Sequence, residues 1–250
     1  MPSTDSGERI YAIGDIHGRS DLLQQLLAKI GDHSRALPPA RSLYVVLVGD
    51  LVDRGPDSAG VLEMLFNLQR DNAQLVVLPG NHEDAMLEAI DGDPVAMRRW
   101  LAVGGAATMR SFGIDPDSGE DPRDLVRRLR AAVPREWVAW LRRLPMSVQS
   151  GDYYFVHAGI RPGIPLRRQV RTDMLWIRED FLDDPRDHGA VIVHGHSISP
   201  EVEFRRNRIG IDTGAYRTGV LSAVYLEGDR QEVIDTSLGV HGVAASANSA

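Results

Sequence analysis

"SLYVVLVGD", Ser42 to Asp50, is an apolar run that stops on a glycine and a carboxylate. Leu43 to Val48 are apolar at consecutive rather than alternate positions, the pattern of a strand covered on both faces. "RIYAIGD" (Arg9–Asp15) and "AQLVVLPGN" (Ala73–Asn81) flank it and end in the same way. Between the three runs, "SDLLQQLLAKI" (Ser20–Ile30) and "DSAGVLEMLFNLQRD" (Asp57–Asp71) space their leucines three and four apart, as amphipathic helices do. Strand, helix, strand, helix, strand predicts an α/β fold with a parallel sheet.

Five further β-rich runs follow: "DYYFVHAG" (Asp152–Gly159), "AVIVHGH" (Ala190–His196), "RIGIDTG" (Arg208–Gly214), "VLSAVYLEG" (Val220–Gly228) and "QEVIDTS" (Gln231–Ser237). The last three alternate better, which predicts antiparallel strands. The stretch from about Asp84 to Leu144 reads as helical, most clearly in "DPRDLVRRLRAAVPREWVAWLRRL", and interrupts the strand series. It is expected to be a helical insertion beside the sheet, with an exposed loop at "GIDPDSGEDP" (Gly113–Pro122). The expectation is one domain over residues 1–250, with a core from about 9 to 235 and a disordered tail from about 241 to 250.

Composition narrows the chemistry. The formal net charge of −7 argues against a general nucleic-acid or anionic-membrane binder. No run approaches the roughly 18 apolar residues of a transmembrane helix, and the first residues lack the basic-then-apolar order of a signal peptide, so a soluble cytoplasmic protein is expected. The chain has no cysteine, which excludes disulfides and a thiolate nucleophile. A metal must then be held by His, Asp, Glu or Asn.

Ligand sites in open α/β sheets lie at the carboxyl ends of strands. There the sequence places Asp15 and His17, then Asp50, Asp53 and Arg54, then Asn81 and His82, and later His157 and His196. Singly, each reads as a cap, a turn residue or a partly buried histidine. In "LPGNHEDAML" (Leu78–Leu87), Asn81 as helix N-cap with Asp84 completing a capping box is a sufficient local explanation. Jointly, hard oxygen donors and imidazoles at five strand ends suit Mn, Fe or Zn. Asp15, His17, Asp50, Asn81, His157 and His196 are too many for one four-coordinate site. They suit two metals about 3.5–4 Å apart that share a carboxylate. The shared group should be Asp50, from the middle strand.

"GDIHG" (Gly14–Gly18), "GDLVDRG" (Gly49–Gly55), "GNHE" (Gly80–Glu83), "HAG" (His157–Gly159) and "HGH" (His194–His196) occur in the order that resembles the calcineurin-like metallophosphoesterases. "DRG" and the complete "GNHE" resemble the phosphoprotein phosphatase branch, which holds the Ser/Thr phosphatases, lambda phosphatase and bacterial symmetrical diadenosine tetraphosphatases. The resemblance implies an α/β β-sandwich of two mixed sheets flanked by helices. It implies two divalent ions, Mn²⁺ first and Fe or Zn as alternatives. Asp15, His17 and Asp50 would hold one, and Asp50, Asn81, His157 and His196 the other, with His194 the rival of His196.

It further implies that His82 protonates the leaving oxygen while Asp53 steadies its ring, and that Arg54 and Arg178 clamp phosphate. A hydroxide activated by the two metals would attack phosphorus in line. The implied substrate is a phosphorylated protein, peptide or small molecule. The leading reading is a Ser/Thr-type protein phosphatase, followed by a symmetrical bis(5'-nucleosyl)-tetraphosphatase. A phosphodiesterase or an inactive phosphate-binding scaffold comes last. "RRWLAVGGAATMRSFG" (Arg98–Gly113) resembles a "GG" segment of bacterial members. Thr213 and Tyr216 read equally as site-lining or as turn and packing residues.

Overall fold

The computed structural model describes residues 1–237. The tail expected from about 241 to 250 lies outside them. The first sheet has the order β10-β9-β1-β2-β3, built from β1 (Glu8–Ile13), β2 (Ser42–Leu47), β3 (Leu75–Val77), β9 (Ser222–Glu227) and β10 (Arg230–Asp235). The second has the order β4-β5-β6-β8-β7, built from β4 (Ser147–Ser150), β5 (Tyr153–Val156), β6 (Val191–His194), β7 (Glu203–Phe204) and β8 (Arg208–Gly210). β1, β2 and β3 run parallel, as their apolar runs predict, and β9 closes antiparallel on β1. Both sheets are mixed, so the metallophosphoesterase-type α/β sandwich expected from the motifs is the fold observed.

The consecutive apolar residues of β1 and β2 are explained by their two covered faces. Ile10, Ala12, Val46 and Val48 meet Tyr153, Phe155, Val193 and Ile209 of the second sheet between the layers. Tyr11, Ile13 and Leu47 point outward beneath α1 (Ser20–Ala36) and α2 (Ser58–Asp71), whose Leu23, Leu26, Val61, Leu62 and Leu65 are fully buried. Each such side chain contributes about 1.5–3 kcal/mol on burial. The outer face of the second sheet, through Tyr154, Val156 and Ile192, is covered by α8 (Arg171–Trp176) and α9 (Glu179–Leu182).

One strand differs from its sequence reading. β8, expected to be antiparallel, pairs parallel with β6 and antiparallel only with the two-residue β7. Its residues are buried on both sides between neighbours, and alternation does not report direction there. β4 and β7 are too short to have shown a pattern.

Between β3 and β4 the chain is helical: α3 (Asn81–Asp91), α4 (Pro94–Trp100), a π-helical turn at Leu101–Gly105, α5 (Ala106–Ser111), α6 (Pro122–Ala132) and α7 (Arg135–Leu141). Met86, Trp100, Met109, Leu125, Leu129 and Leu141 join the same core as α1 and α2. The Gly113–Pro122 connection is largely exposed, anchored by buried Ile114. No helix among the described residues is long and apolar enough to cross a membrane.

Candidate active site

The carboxyl ends of β1, β2, β3, β5 and β6 meet at one edge of the sandwich, and the polar residues singled out by the sequence meet with them. Five non-glycine residues among those described have positive φ: His17 (46°), Asp50 (49°), Asp53 (75°), Arg54 (67°) and His196 (64°). All five belong to this cluster. Left-handed backbone at a side-chain-bearing residue costs about 1–3 kcal/mol and persists where surrounding contacts impose it.

Asp50 is the centre of the cluster. Its Oδ2 lies 3.5 Å from His17 Nε2 and 3.9 Å from His82 Nε2, while its Oδ1 lies 3.5 Å from His157 Nε2. His17, Asp50 and His82 form one group whose donor atoms are close enough to share a cation, and Asp50, His157 and His196 form a second. Asn81 joins the second group through its Oδ1, 2.9 Å from His157 Nε2. Asp15 falls in neither trio. It accepts the backbone N–H of His196 on Oδ2, and its Oδ1 is buried without a hydrogen-bond partner. His196 Nε2 is likewise buried and unpartnered. Such orphaned atoms are costly unless a ligand satisfies them. Glycine at 195 makes room for this carboxylate, because a Cβ there would lie 1.9 Å from Asp15 Oδ1.

The electrostatics favour cation ligation. Burial lowers the pKa of His17 to about 3 and of His196 to about 2, and lowers that of His157, which favours a free nitrogen lone pair on each. His17 and His157 have the Nδ1 atom beside the carbonyls of Val52 (2.8 Å) and Val48 (2.9 Å), which leaves Nε2 facing the cluster. Burial works to raise Asp50, but the four surrounding histidines win and hold its carboxyl well below the usual range. Asp15 moves the other way, raised by burial and by the neighbouring Asp212 and Asp50 carboxylates. Buried carboxylates gathered beside imidazole nitrogens are the setting in which a divalent cation lowers the energy.

His82 is set apart from these ligand-like histidines. Its Nδ1 lies 2.6 Å from Asp53 Oδ2. Burial would lower its pKa, but Asp50 and Asp53 outweigh burial and raise it. Asp53 is fully buried and gathers donors from the helical stretch. Trp100 Nε1 donates to both oxygens, at 3.0 and 2.9 Å, and Thr108 Oγ1 donates to Oδ1 at 2.6 Å. The π-helical turn lies between those two donors. There Gly104, at φ 126°, offers its carbonyl to the Arg54 N–H at 3.1 Å, and a Cβ on it would press to 2.7 Å from Arg54 Cγ. The "GG" segment thus clamps the "DRG" turn from outside the sheet.

Glu83 lies in the first turn of α3, and its side chain does more than open the helix. The N-cap of α3 is Gly80 rather than Asn81, and the capping-box carboxylate is Glu83 rather than Asp84. Glu83 Oε2 accepts from Gly80 N–H (2.7 Å), and Oε1 accepts from Leu51 N–H (2.7 Å) and Val52 N–H (3.1 Å). It ties the turn after β2 to the start of α3. Asp84 instead pairs with Arg171 at 2.7 Å. The fourth position of "GNHE" carried this signal, but only the fold shows which backbone it reaches.

Arg54 is exposed, with Nη1 2.7 Å from His17 Nε2. Arg178 is exposed at the start of α9, and its charge helps lower the pKa of His157 and His196. His194 is in neither trio: its ring packs edge-on against Phe181, while His196 packs against His157. Thr213 is a turn residue, bonded to Val220 O and Ser222 Oγ. Tyr216 meets His17 and Arg54.

Residues 8–221 match the family described as calcineurin-like phosphoesterase. The chain belongs to that family. This phosphoesterase is 25% identical over 233 residues to an asymmetrical bis(5'-nucleosyl)-tetraphosphatase of Oceanobacillus iheyensis, covering 86% of this chain and 87% of that one. It is 27% identical over 222 residues to serine/threonine-protein phosphatase 2 of Escherichia coli K12, covering 85% and 90%. It is 34% identical to a symmetrical bis(5'-nucleosyl)-tetraphosphatase of Acidovorax sp. strain JS42, but that match spans 61% of this chain and only 44% of the relative's length. In fold it is similar to the solved structure of a candidate diadenosine tetraphosphatase, with a TM-score of 0.63 and 21% identity over 94% of this chain and 100% of that one. The hydrolase class read from the motifs therefore holds.

Proposed function

We propose that this phosphoesterase hydrolyses phosphate monoesters of the Ser/Thr phosphoprotein type with two divalent ions, Mn²⁺ first among them. The observation that carries the reading is the Asp50 carboxylate, with one oxygen toward each histidine group. Asp15, His17 and Asp50 hold one ion in this reading, and Asp50, Asn81, His157 and His196 the other. The orphaned Asp15 Oδ1 and His196 Nε2 and the all N/O donor set fit such ions. When bound, the ions supply Lewis-acid activation of the attacking water and neutralise phosphate charge.

The chain's own groups do the remaining work. Arg54 and Arg178 grip the equatorial phosphate oxygens in their planar forks. His82, charged and held by Asp53, presents Nε2 to the leaving oxygen and gives up its proton as the ester bond breaks. The Asp53 carboxylate keeps the proton on Nδ1 and stabilises the imidazolium until that moment.

The likeness to serine/threonine-protein phosphatase 2, over 85% of this chain and 90% of that one, supports the phosphoprotein reading. The equally extensive likeness to the asymmetrical tetraphosphatase favours a second reading, cleavage of a dinucleoside tetraphosphate. A product assay separates them. Metal-stripped protein is reloaded with Mn²⁺ and given a phosphoserine peptide or diadenosine tetraphosphate. Inorganic phosphate from the peptide is expected. Nucleotide products with an inert peptide would establish the second reading, and no metal-dependent turnover of either would overturn both.

A further inference from the structure

We infer that Tyr216 is a positioning residue that stacks on Arg54 and sets the direction of its phosphate-gripping fork. The inference rests on the reading of Arg54 as a phosphate clamp. Arg54 makes no ion pair among the described residues, and its guanidinium is exposed, so a carboxylate does not hold it. Its Cζ lies 5.0 Å from the centroid of the Tyr216 ring, within cation–π range. The same ring meets His17 edge-on at 5.2 Å between centroids. His17 Nε2 lies 2.7 Å from Arg54 Nη1. Because His17 Nε2 is read as a metal ligand, its contact with Arg54 gives way when the ion binds, and the Tyr216 face is the contact left to constrain a side chain that otherwise has several free torsions.

The tyrosine is itself held firmly. It sits in α10 (Ala215–Thr218), the short turn that carries the chain from the second sheet back to the first. Glycines at φ 68° and 74°, Gly214 and Gly219, close the turn at both ends. Asp212 Oδ1 accepts the Gly214 N–H at 2.8 Å, Thr218 Oγ1 donates to Thr213 O at 3.0 Å, and Arg19 Nη1 donates to Ala215 O at 3.1 Å. The backbone of Arg54 is fixed independently by Gly104 O. With both backbones anchored, the stacking contact determines where the guanidinium points. An oriented fork loses less side-chain entropy when it binds a tetrahedral oxyanion.

The test is calorimetric binding of inorganic phosphate to the Mn²⁺-loaded full chain. Y216F keeps the ring face and should bind within about two-fold of wild type. Y216L keeps bulk but loses the face, and Y216M replaces it where Y216L does not fold. Either should weaken binding roughly 3- to 30-fold, the range of a cation–π contact. In an R54A background the same substitution should add almost nothing. An equal loss with and without Arg54, an equal loss in Y216F, or no loss would overturn the inference while leaving the clamp reading intact. Unchanged phosphate binding in R54A alone would overturn the clamp reading and this inference together.

Discussion

Trp100 donates its indole N–H into the carboxylate of Asp53, at 2.9 and 3.0 Å, with both side chains sealed from solvent. The donor comes from the helical stretch between β3 and β4, and the acceptor from the turn after β2. The helices are thus part of how the site is held. Trp100→Phe keeps the ring and removes the donor. Urea unfolding should show a loss of about 1–3 kcal/mol, the cost of leaving a charged buried acceptor under-satisfied. The low-pH limb of kcat should also shift, because Asp53 then pairs differently with His82. A variant matching wild type in both measurements would show that Thr108 alone suffices.

The His82 and Asp53 pair, 2.6 Å apart, predicts a kinetic signature. His82→Ala should lower kcat by about 10²–10⁴-fold on an alkyl phosphate. The loss should be smaller on p-nitrophenyl phosphate, whose leaving group needs no proton. Asp53→Asn should fall the same way, since an amide cannot stabilise the imidazolium. Circular dichroism should show both folded. Equal losses on the two esters would remove His82 from the role of proton donor.

Gly195 lies against Asp15, and an added methyl would sit 1.9 Å from its Oδ1. Gly195→Ala should therefore push the Asp15 carboxylate out of the cluster. Metal analysis after gel filtration should find less Mn²⁺ per chain than in wild type. The β6 core residues Val191 and Val193 pack elsewhere, so secondary structure should survive. Full metal content in this variant would show that Asp15 is not needed for loading.

Arg9 and Glu227 form a pair at 2.7 Å, the arginine buried and the glutamate about a quarter exposed, joining β1 to β9. The bond from Arg9 holds the Glu227 carboxyl below its ordinary range against a partial burial that works the other way. The folded state then binds this proton less readily than the unfolded chain does. The resulting stability is complete above the unfolded value of about 4.3 and is lost as pH falls through the lower folded value. Glu227→Gln should lower Tm at pH 7 by the equivalent of about 1 kcal/mol, discounted for solvent screening. The gap from wild type should shrink below about pH 4. A gap that is constant with pH would assign the effect to packing.

Much of this is legible in the sequence. The buried runs of β1, β2 and β3 showed themselves as uninterrupted apolar stretches because both faces are covered. The cluster residues Asp15, His17, Asp50, Asn81, His82, His157 and His196 showed themselves because each lies within five residues of the end of a strand, so strand direction delivers them to one edge. Glu83 and Trp100 did not show their parts. A helix-start glutamate and an apolar-face tryptophan look alike in sequence whatever they bond to. Glu83 reaches back 32 residues to Leu51, and Trp100 reaches 47 to Asp53. The direction of β8 differs from its alternation for a related reason, since its neighbours are set by sheet order and not by its own pattern.

Local pattern, acting over a few residues, determined the α/β class, the polar residues that follow the strands and the exclusion of cysteine chemistry. Those follow from periodicity and side-chain type, which a chain carries unfolded. The tertiary structure decided which atoms of those residues face one another. It gave Asp50 one oxygen for each histidine group, raised the pKa of His82 while lowering those of His17, His157 and His196, and laid Tyr216 against Arg54. Such outcomes depend on burial and on distances of a few ångströms between segments far apart in the chain, and these exist only once both sheets have closed.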